Sequence, residues 1–194
     1  YEKSSGSDLT IPKIKSSDTE IKSKTKKIFC SKKGHNEKES NGFCKKCYVV
    51  GFSNGAFMTT KLAVEKPRYF DAFVSVGGMM PENVWNHRKN HKNGGKFFRI
   101  NGTKDAVTPM RINDSAKYNP NPAMEDVIDY FVNENKIASE PTLEIINDKI
   151  KITKYENSVW WMLIKDYPHS WPSSRFCELN INEIILDFFL RTTL

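Results

Sequence analysis

Gly51-Phe52-Ser53-Asn54-Gly55 sets a serine hydroxyl between two glycines, and Asp105 and His169 follow it along the 194-residue chain. Attack on a carboxylic ester needs an alcohol, a base to take its proton and an acid to hold that base in one tautomer. Those three residue types meet the need in the order Ser, Asp, His. The serine has the local context of a nucleophile elbow. Tyr48-Val49-Val50 before it is apolar and β-branched, whereas Ala56, Phe57, Met58, Leu62, Ala63 and Val64 after it have helical spacing. A strand, a tight glycine-framed turn and a helix would let the Ser53 hydroxyl stand clear. The backbone N–H of Asn54 and the helix N-terminus would then face a developing oxyanion. The five-residue pattern alone arises by chance in roughly 5% of chains this long, so it needs partners.

The partners sit in loops that follow apolar runs. Asp105 lies five residues beyond Ile100, in Asn101-Gly102-Thr103-Lys104-Asp105-Ala106-Val107-Thr108-Pro109. His169 lies in Tyr167-Pro168-His169-Ser170-Trp171-Pro172, just past a run that ends at Ile164. The other histidines, His35, His87 and His91, stand in Lys- and Asn-rich surroundings with no strand-like run just before them.

The elements that position these residues alternate. Tyr48–Val50 reads as a strand and Ala56–Val64 as a helix closed by Lys66-Pro67. Phe70–Val76 and Lys96–Ile100 read as further strands, and Ala123–Asn135 has helical apolar spacing. Leu143–Ile146 and Ile150–Tyr155 form a hairpin around Asn147-Asp148. Ser158–Ile164 is a strand carrying Trp160-Trp161, and Ile181–Arg191 is an amphipathic helix. Strands alternating with helices imply an α/β fold with a mostly parallel sheet and helices on both faces. In such sheets ligands meet the carboxyl ends of the strands, where the loops after Val50, Ile100 and Ile164 fall. A tryptophan pair on a strand is a core feature, so Trp171 is the candidate for a substrate-binding surface.

The elbow followed by Met58, the Gly-Thr-x-Asp-x-Val-x-Pro loop at 102–109 and His169-Ser170-Trp171-Pro172 together resemble the polyhydroxybutyrate depolymerase and feruloyl-esterase-like branch of the α/β-hydrolases. The likeness runs from about residue 48 to 191. It implies Ser53 as nucleophile, His169 as general base and acid, Asp105 as the residue orienting it, and Asn54 as an oxyanion donor. It also implies a polyester or aromatic-acid ester as substrate, no cofactor, and an extracellular setting. Asn101 stands where relatives often have His, and Ala56 where a third glycine is common. Relatives also carry strands ahead of the elbow and a His-Gly loop that supplies a second oxyanion N–H. Nothing in residues 1–47 resembles these; Leu9–Ile11 and Ile28-Phe29 are the short apolar pieces there. The expectation is therefore a partial α/β-hydrolase sheet over 48–194 behind a leader over 1–47. Its elbow strand would be a sheet edge open to a partner or to self-association.

Composition describes that leader. Residues 1–48 hold 12 Lys against 6 acidic residues, while the remainder holds 18 basic against 17 acidic. A segment so rich in Lys, Ser, Thr, Glu and Asn buries too little apolar surface to offset its ordering entropy, so disorder is expected. It lacks the interleaved aromatics or arginines of a nucleic-acid binder, and no nucleic-acid partner is expected. The alternative to an esterase is a catalytically impaired fragment that acts only by binding. No run approaches transmembrane length, and no signal peptide is visible after Tyr1. Asn101-Gly102-Thr103 and Asn113-Asp114-Ser115 match N-glycosylation sequons, the first lying against the expected site. Cys30, Cys44 and Cys47 with His35 can be written as a Cys₃His zinc site, but one CxxC with loose upstream spacing equally describes ordinary thiols or one disulfide. No metal is expected: elemental analysis of purified protein should find no stoichiometric zinc, and one zinc per chain would overturn that.

Overall fold

In a computed structural model, the protein is described over residues 46–91, 94–110 and 122–192. Residues 1–45 of the expected leader, with Cys30, His35 and Cys44, lie outside these residues, as does the sequon at Asn113. Among the described residues six strands form one sheet: β1 (Tyr48–Phe52), β2 (Ala72–Val76), β3 (Phe97–Gly102), β4 (Thr142–Ile145), β5 (Ile150–Tyr155) and β6 (Val159–Ile164). The spatial order is β1-β2-β3-β6-β5-β4. β1, β2, β3 and β6 are parallel neighbours, and β5 and β4 continue antiparallel beyond β6. The helices are α1 (Asn54–Glu65), α2 (Glu82–His87), α3 (Met124–Glu134), α4 (Ser174–Cys177) and α5 (Ile181–Arg191). This is the α/β architecture expected from the alternating pattern.

Two faces of the sheet bury two apolar clusters. On one, Phe73, Phe97 and Val159 meet Ala63 and Val64 of α1 and Val127 and Phe131 of α3. The rings of Phe97 and Phe131 stack with centroids 4.0 Å apart. On the other, Val74, Phe98, Ile100 and Trp160 meet Ile185 and Phe188 of α5. β2 and β3 are buried along their whole lengths because helices cover both sides, and Ser75, Arg99 and Asn101 are the polar residues buried with them. Trp160 is fully buried, with its indole N–H donating to the Glu156 carbonyl at 2.9 Å, so it is a core residue.

Helix ends explain where pattern and structure part. α1 begins at Asn54, two residues before its first buried side chain, because periodicity registers only core-facing positions. β2 begins at Ala72, since Pro67–Tyr69 form a 3-10 turn and Asp71 turns back to Cys47. There the Asp71 carboxylate accepts the Cys47 N–H at 2.7 Å, and the Asp71 N–H donates to the Cys47 carbonyl at 2.7 Å. The short α2 and α4 hold too few apolar positions to show a period. α5 starts at an Asn180 cap whose side chain accepts the Asn182 N–H at 3.1 Å.

Among the described residues β1 has a strand on one side only. Cys47 and Ser53 direct their backbone groups to β2, bonding Asp71 and Val76. By strand alternation the N–H and C=O of Tyr48, Val50 and Phe52 therefore point away from the sheet. The Val50 side chain is 39% exposed at this edge.

Phe188 wedges between Phe98 and Trp160, with centroids 5.2 Å from each. Phe188→Ala should cost about 3–5 kcal/mol in a urea melt. A loss under about 1 kcal/mol would show that α5 is not seated on the sheet in this way.

Candidate active site

The turn from β1 to α1 holds Ser53 at φ 53, ψ −117, a conformation that L-residues rarely adopt. It is fixed from both sides. The Ser53 N–H donates to the Val76 carbonyl at 3.0 Å, and the Ser53 carbonyl accepts the N–H groups of Ala56 and Phe57 at 2.9 and 3.1 Å. Gly51 makes the turn possible, because a Cβ there would lie 2.1 Å from the Gly55 carbonyl oxygen. Gly55 plays no such part: a Cβ there meets open space, so only one of the two framing glycines is sterically required.

Although Ser53 occupies the N-cap of α1, its hydroxyl makes no capping bond. It points instead to His169, with Oγ 2.9 Å from Nε2. On the other side of the ring, Nδ1 lies 2.7 Å from Asp105 Oδ2. The structure thus brings together the serine, histidine and aspartate singled out from the sequence, from loops that follow β1, β6 and β3. His87 lies elsewhere, with its ring nitrogen on the Asn83 carbonyl. Asn54 opens α1, so its backbone N–H is one of the donors that a helix leaves without an internal acceptor. No acidic side chain occupies the first turn of α1 to offset its positive end.

Asp105 is prepared as an anion. Its Oδ1 accepts the N–H groups of Val107 and Thr108 at 2.9 and 2.7 Å, and its Oδ2 accepts the Thr108 hydroxyl at 2.6 Å. Burial pushes its carboxyl up, but the Thr108 hydroxyl and N–H and the neighbouring His169 outweigh that and hold it below its ordinary value. With Oδ1 saturated by backbone, Oδ2 is left for His169, and it favours the tautomer that carries a proton on Nδ1. Nε2 is then free to accept from Ser53.

The histidine is held by ring contacts that the motif alone does not reveal. Phe52, the variable second residue of the elbow, stacks on the imidazole at 5.1 Å and meets Trp171 edge-on at 6.3 Å. Trp171 is half-buried on this ring rather than fully exposed. Tyr167 braces the His169 loop, its hydroxyl donating to the Trp171 carbonyl at 2.8 Å and accepting the Ser173 N–H at 2.9 Å. Gly77, at φ +55 after β2, forms the floor: a Cβ there would lie 3.5 Å from both Asp105 Oδ2 and His169 Cε1. Sequence reasoning passed over Phe52, Gly77, Thr108 and Tyr167. Thr108 alone had a readable signal, a hydroxyl three residues after the aspartate in a turn. Asn101 is buried at 1% exposure, so its sequon is inaccessible in the folded chain. Among the described residues no cluster of His, Cys, Asp and Glu is arranged to hold a metal ion.

No family model and no curated protein matches the sequence. Among solved structures the chain is similar to an acetyl xylan esterase from Aspergillus awamori, at 13% identity and a TM-score of 0.55, over 74% of this chain and 59% of that one. It is also similar to an esterase, PE8, at 12% identity and a TM-score of 0.44, over 73% of this chain and 49% of that one. The first likeness is one of fold. The chain spans less than two thirds of the length of either protein.

Because Asp105 is held below its ordinary carboxylate value, the stability it contributes is present at neutral pH and is lost as pH falls through the folded value. Thr108→Val removes one of the bonds that lower it. Urea melts should show the variant less stable at pH 7 by about 1.5–3 kcal/mol, with a smaller gap at a pH below the ordinary carboxylate range. An equal gap at both pH values would contradict this account.

Proposed function

We propose that the protein is a serine hydrolase of carboxylic esters. The observation that carries this reading is the continuous chain from Ser53 Oγ through both ring nitrogens of His169 to Asp105 Oδ2. In the reaction, Ser53 Oγ attacks the ester carbonyl while His169 Nε2 takes its proton. Asp105 stabilises the imidazolium that forms. The negative charge that develops on the carbonyl oxygen falls beside the Asn54 N–H at the positive end of α1. On collapse His169 returns the proton to the leaving alcohol, and an acyl group remains on Ser53. Water, activated by the same nitrogen, then releases the acid. No step calls for a cofactor.

By the resemblance of its motifs the substrate would be a polyhydroxyalkanoate or feruloyl-type ester, and the fold shared with an acetyl xylan esterase agrees with ester chemistry in general. Trp171 and Phe52 would line the acyl or aromatic side of the substrate. By the same resemblance the setting is extracellular.

A second reading, an impaired hydrolase that acts by binding, is favoured by the edge of β1 that has no neighbouring strand among the described residues. The described residues offer the Asn54 N–H as an oxyanion donor, and a hydrolase that lacks a second donor typically loses about 10²–10³ in kcat. A partner strand, or a second copy, would pair with the outward groups of Tyr48, Val50 and Phe52.

A fluorophosphonate probe separates the two readings. It should label wild-type protein and not Ser53→Ala, and hydrolysis of p-nitrophenyl butyrate should fall to background in that variant. Absence of labelling on folded wild-type protein would overturn the hydrolase reading and leave the binding one.

A further inference from the structure

Arg99 lies in the middle of β3 and is fully buried, a guanidinium in the core of a sheet. No carboxylate among the described residues pairs with it. Burial pushes its pKa down to about 9. Removing a charge from water without an opposite charge carries a penalty of several kcal/mol, so an apolar side chain here would favour folding more. What the guanidinium does touch lies directly under the site described above.

One Arg99 terminal nitrogen (Nη2) donates to the Gly78 carbonyl, and Nε donates to Asn101 Oδ1 at 3.1 Å. Gly78 continues the turn whose preceding residue, Gly77, lies beneath the Phe52 ring, Asp105 Oδ2 and His169 Cε1. Gly78 also abuts α1: a Cβ there would lie 2.4 Å from the Ala56 Cβ, one turn from Ser53. Asn101 stands near the end of β3, where the chain turns toward Asp105. One side chain therefore ties together the floor under the histidine and the strand end that carries the aspartate. Ser75 and Thr60 extend this buried polar layer, their hydroxyls 3.3 Å apart, with Thr60 donating to the Ala56 carbonyl at 2.9 Å.

We propose that Arg99 is a positioning residue for the His169–Asp105 pair, holding the Gly77–Gly78 turn and the end of β3 in the register that sets the imidazole between Ser53 and Asp105. It touches no reacting atom. Its effect is geometric: displacement of a catalytic group by about 1 Å can cost on the order of 10²-fold in rate. The inference rests on the hydrolase reading for its kinetic consequence but not for its structural one.

The test uses the full chain with Arg99→Met and Arg99→Lys. The methionine variant should fold with a melting temperature equal to or above that of wild type, since the buried charge is gone. Its kcat on p-nitrophenyl butyrate should fall by about 10- to 100-fold with KM within about twofold. The downfield NMR signal of the His169 Nδ1 proton should shift or broaden. Arg99→Lys, which keeps a donor for the Gly78 carbonyl, should recover part of both kcat and the signal. A methionine variant with unchanged kcat and an unchanged proton signal overturns the proposal, as does loss of the folded state in both variants, which would make Arg99 a folding residue. If wild-type protein hydrolyses no ester, the proton signal still decides the point, so failure of the hydrolase reading is distinguished from failure of this one.

Discussion

The reversal of the chain at Ser53 is the constraint on which the rest of the site depends. A strand that runs into a helix within one residue must bring helix backbone against strand backbone. Here that contact is so close that only hydrogen fits at Gly51 Cα. A residue at φ 53 costs on the order of 1–3 kcal/mol, and it persists because its surroundings over-determine it. The Val76 carbonyl holds its N–H, the first turn of α1 holds its carbonyl, and the Thr60 and Ser75 hydroxyls tie that turn to β2. Strain at the turn is thereby supported by packing well away from it. The outcome is a hydroxyl that does not cap its own helix and is left to face His169.

Sheet order then decides which loops can meet that hydroxyl. β1, β2, β3 and β6 run parallel and side by side, so their carboxyl ends share one edge. β3 and β6 are direct neighbours, which places the loops carrying Asp105 and His169 against each other; the Lys104 N–H donates to the Tyr167 carbonyl at 3.0 Å. Between β1 and β3 stands β2, and its exit turn must be thin enough to pass under the imidazole. Gly77 meets that need through its positive φ; a Cβ there would make ordinary contact with Asp105 and His169 and press only on the Phe52 ring, at 3.2 Å. The antiparallel β5 and β4 add no residue to the site. They extend the sheet, and β5 helps cover the core around Trp160 and Phe188.

Charge is distributed with the same economy. Asp105 is almost fully buried, yet it stays an anion because each of its oxygens receives hydrogen bonds from the protein. Arg99 is buried more deeply; it donates to the Gly78 carbonyl and Asn101 Oδ1, but no carboxylate among the described residues opposes its charge, which sets it apart from the surface pairs Lys104–Asp166 and Arg191–Asp187. Exposed pairs of that kind contribute little to stability. The two buried charges serve the carboxyl edge differently: one aligns the histidine, and the other anchors the turn beneath it. The side of β1 that has no neighbouring strand among the described residues lies next to this machinery, so whatever strand pairs there would run alongside the elbow.

By itself the sequence determined the alternation of strands and helices, and hence the mostly parallel sheet. Periodicity is a local consequence of burying one face of each element. It likewise marked Ser53, Asp105 and His169, because each follows an apolar run and such runs become strands whose ends converge. Tertiary structure decided the rest. That Gly51 is indispensable while Gly55 is not depends on which glycine faces the helix backbone. Phe52 supports the histidine through a ring contact between residues 117 positions apart in the chain. No motif or spacing singles out Arg99; only the folded sheet shows it buried against the Gly78 carbonyl. Contacts of that range leave no period in the chain, because they are set by the register between strands rather than by the residues beside them.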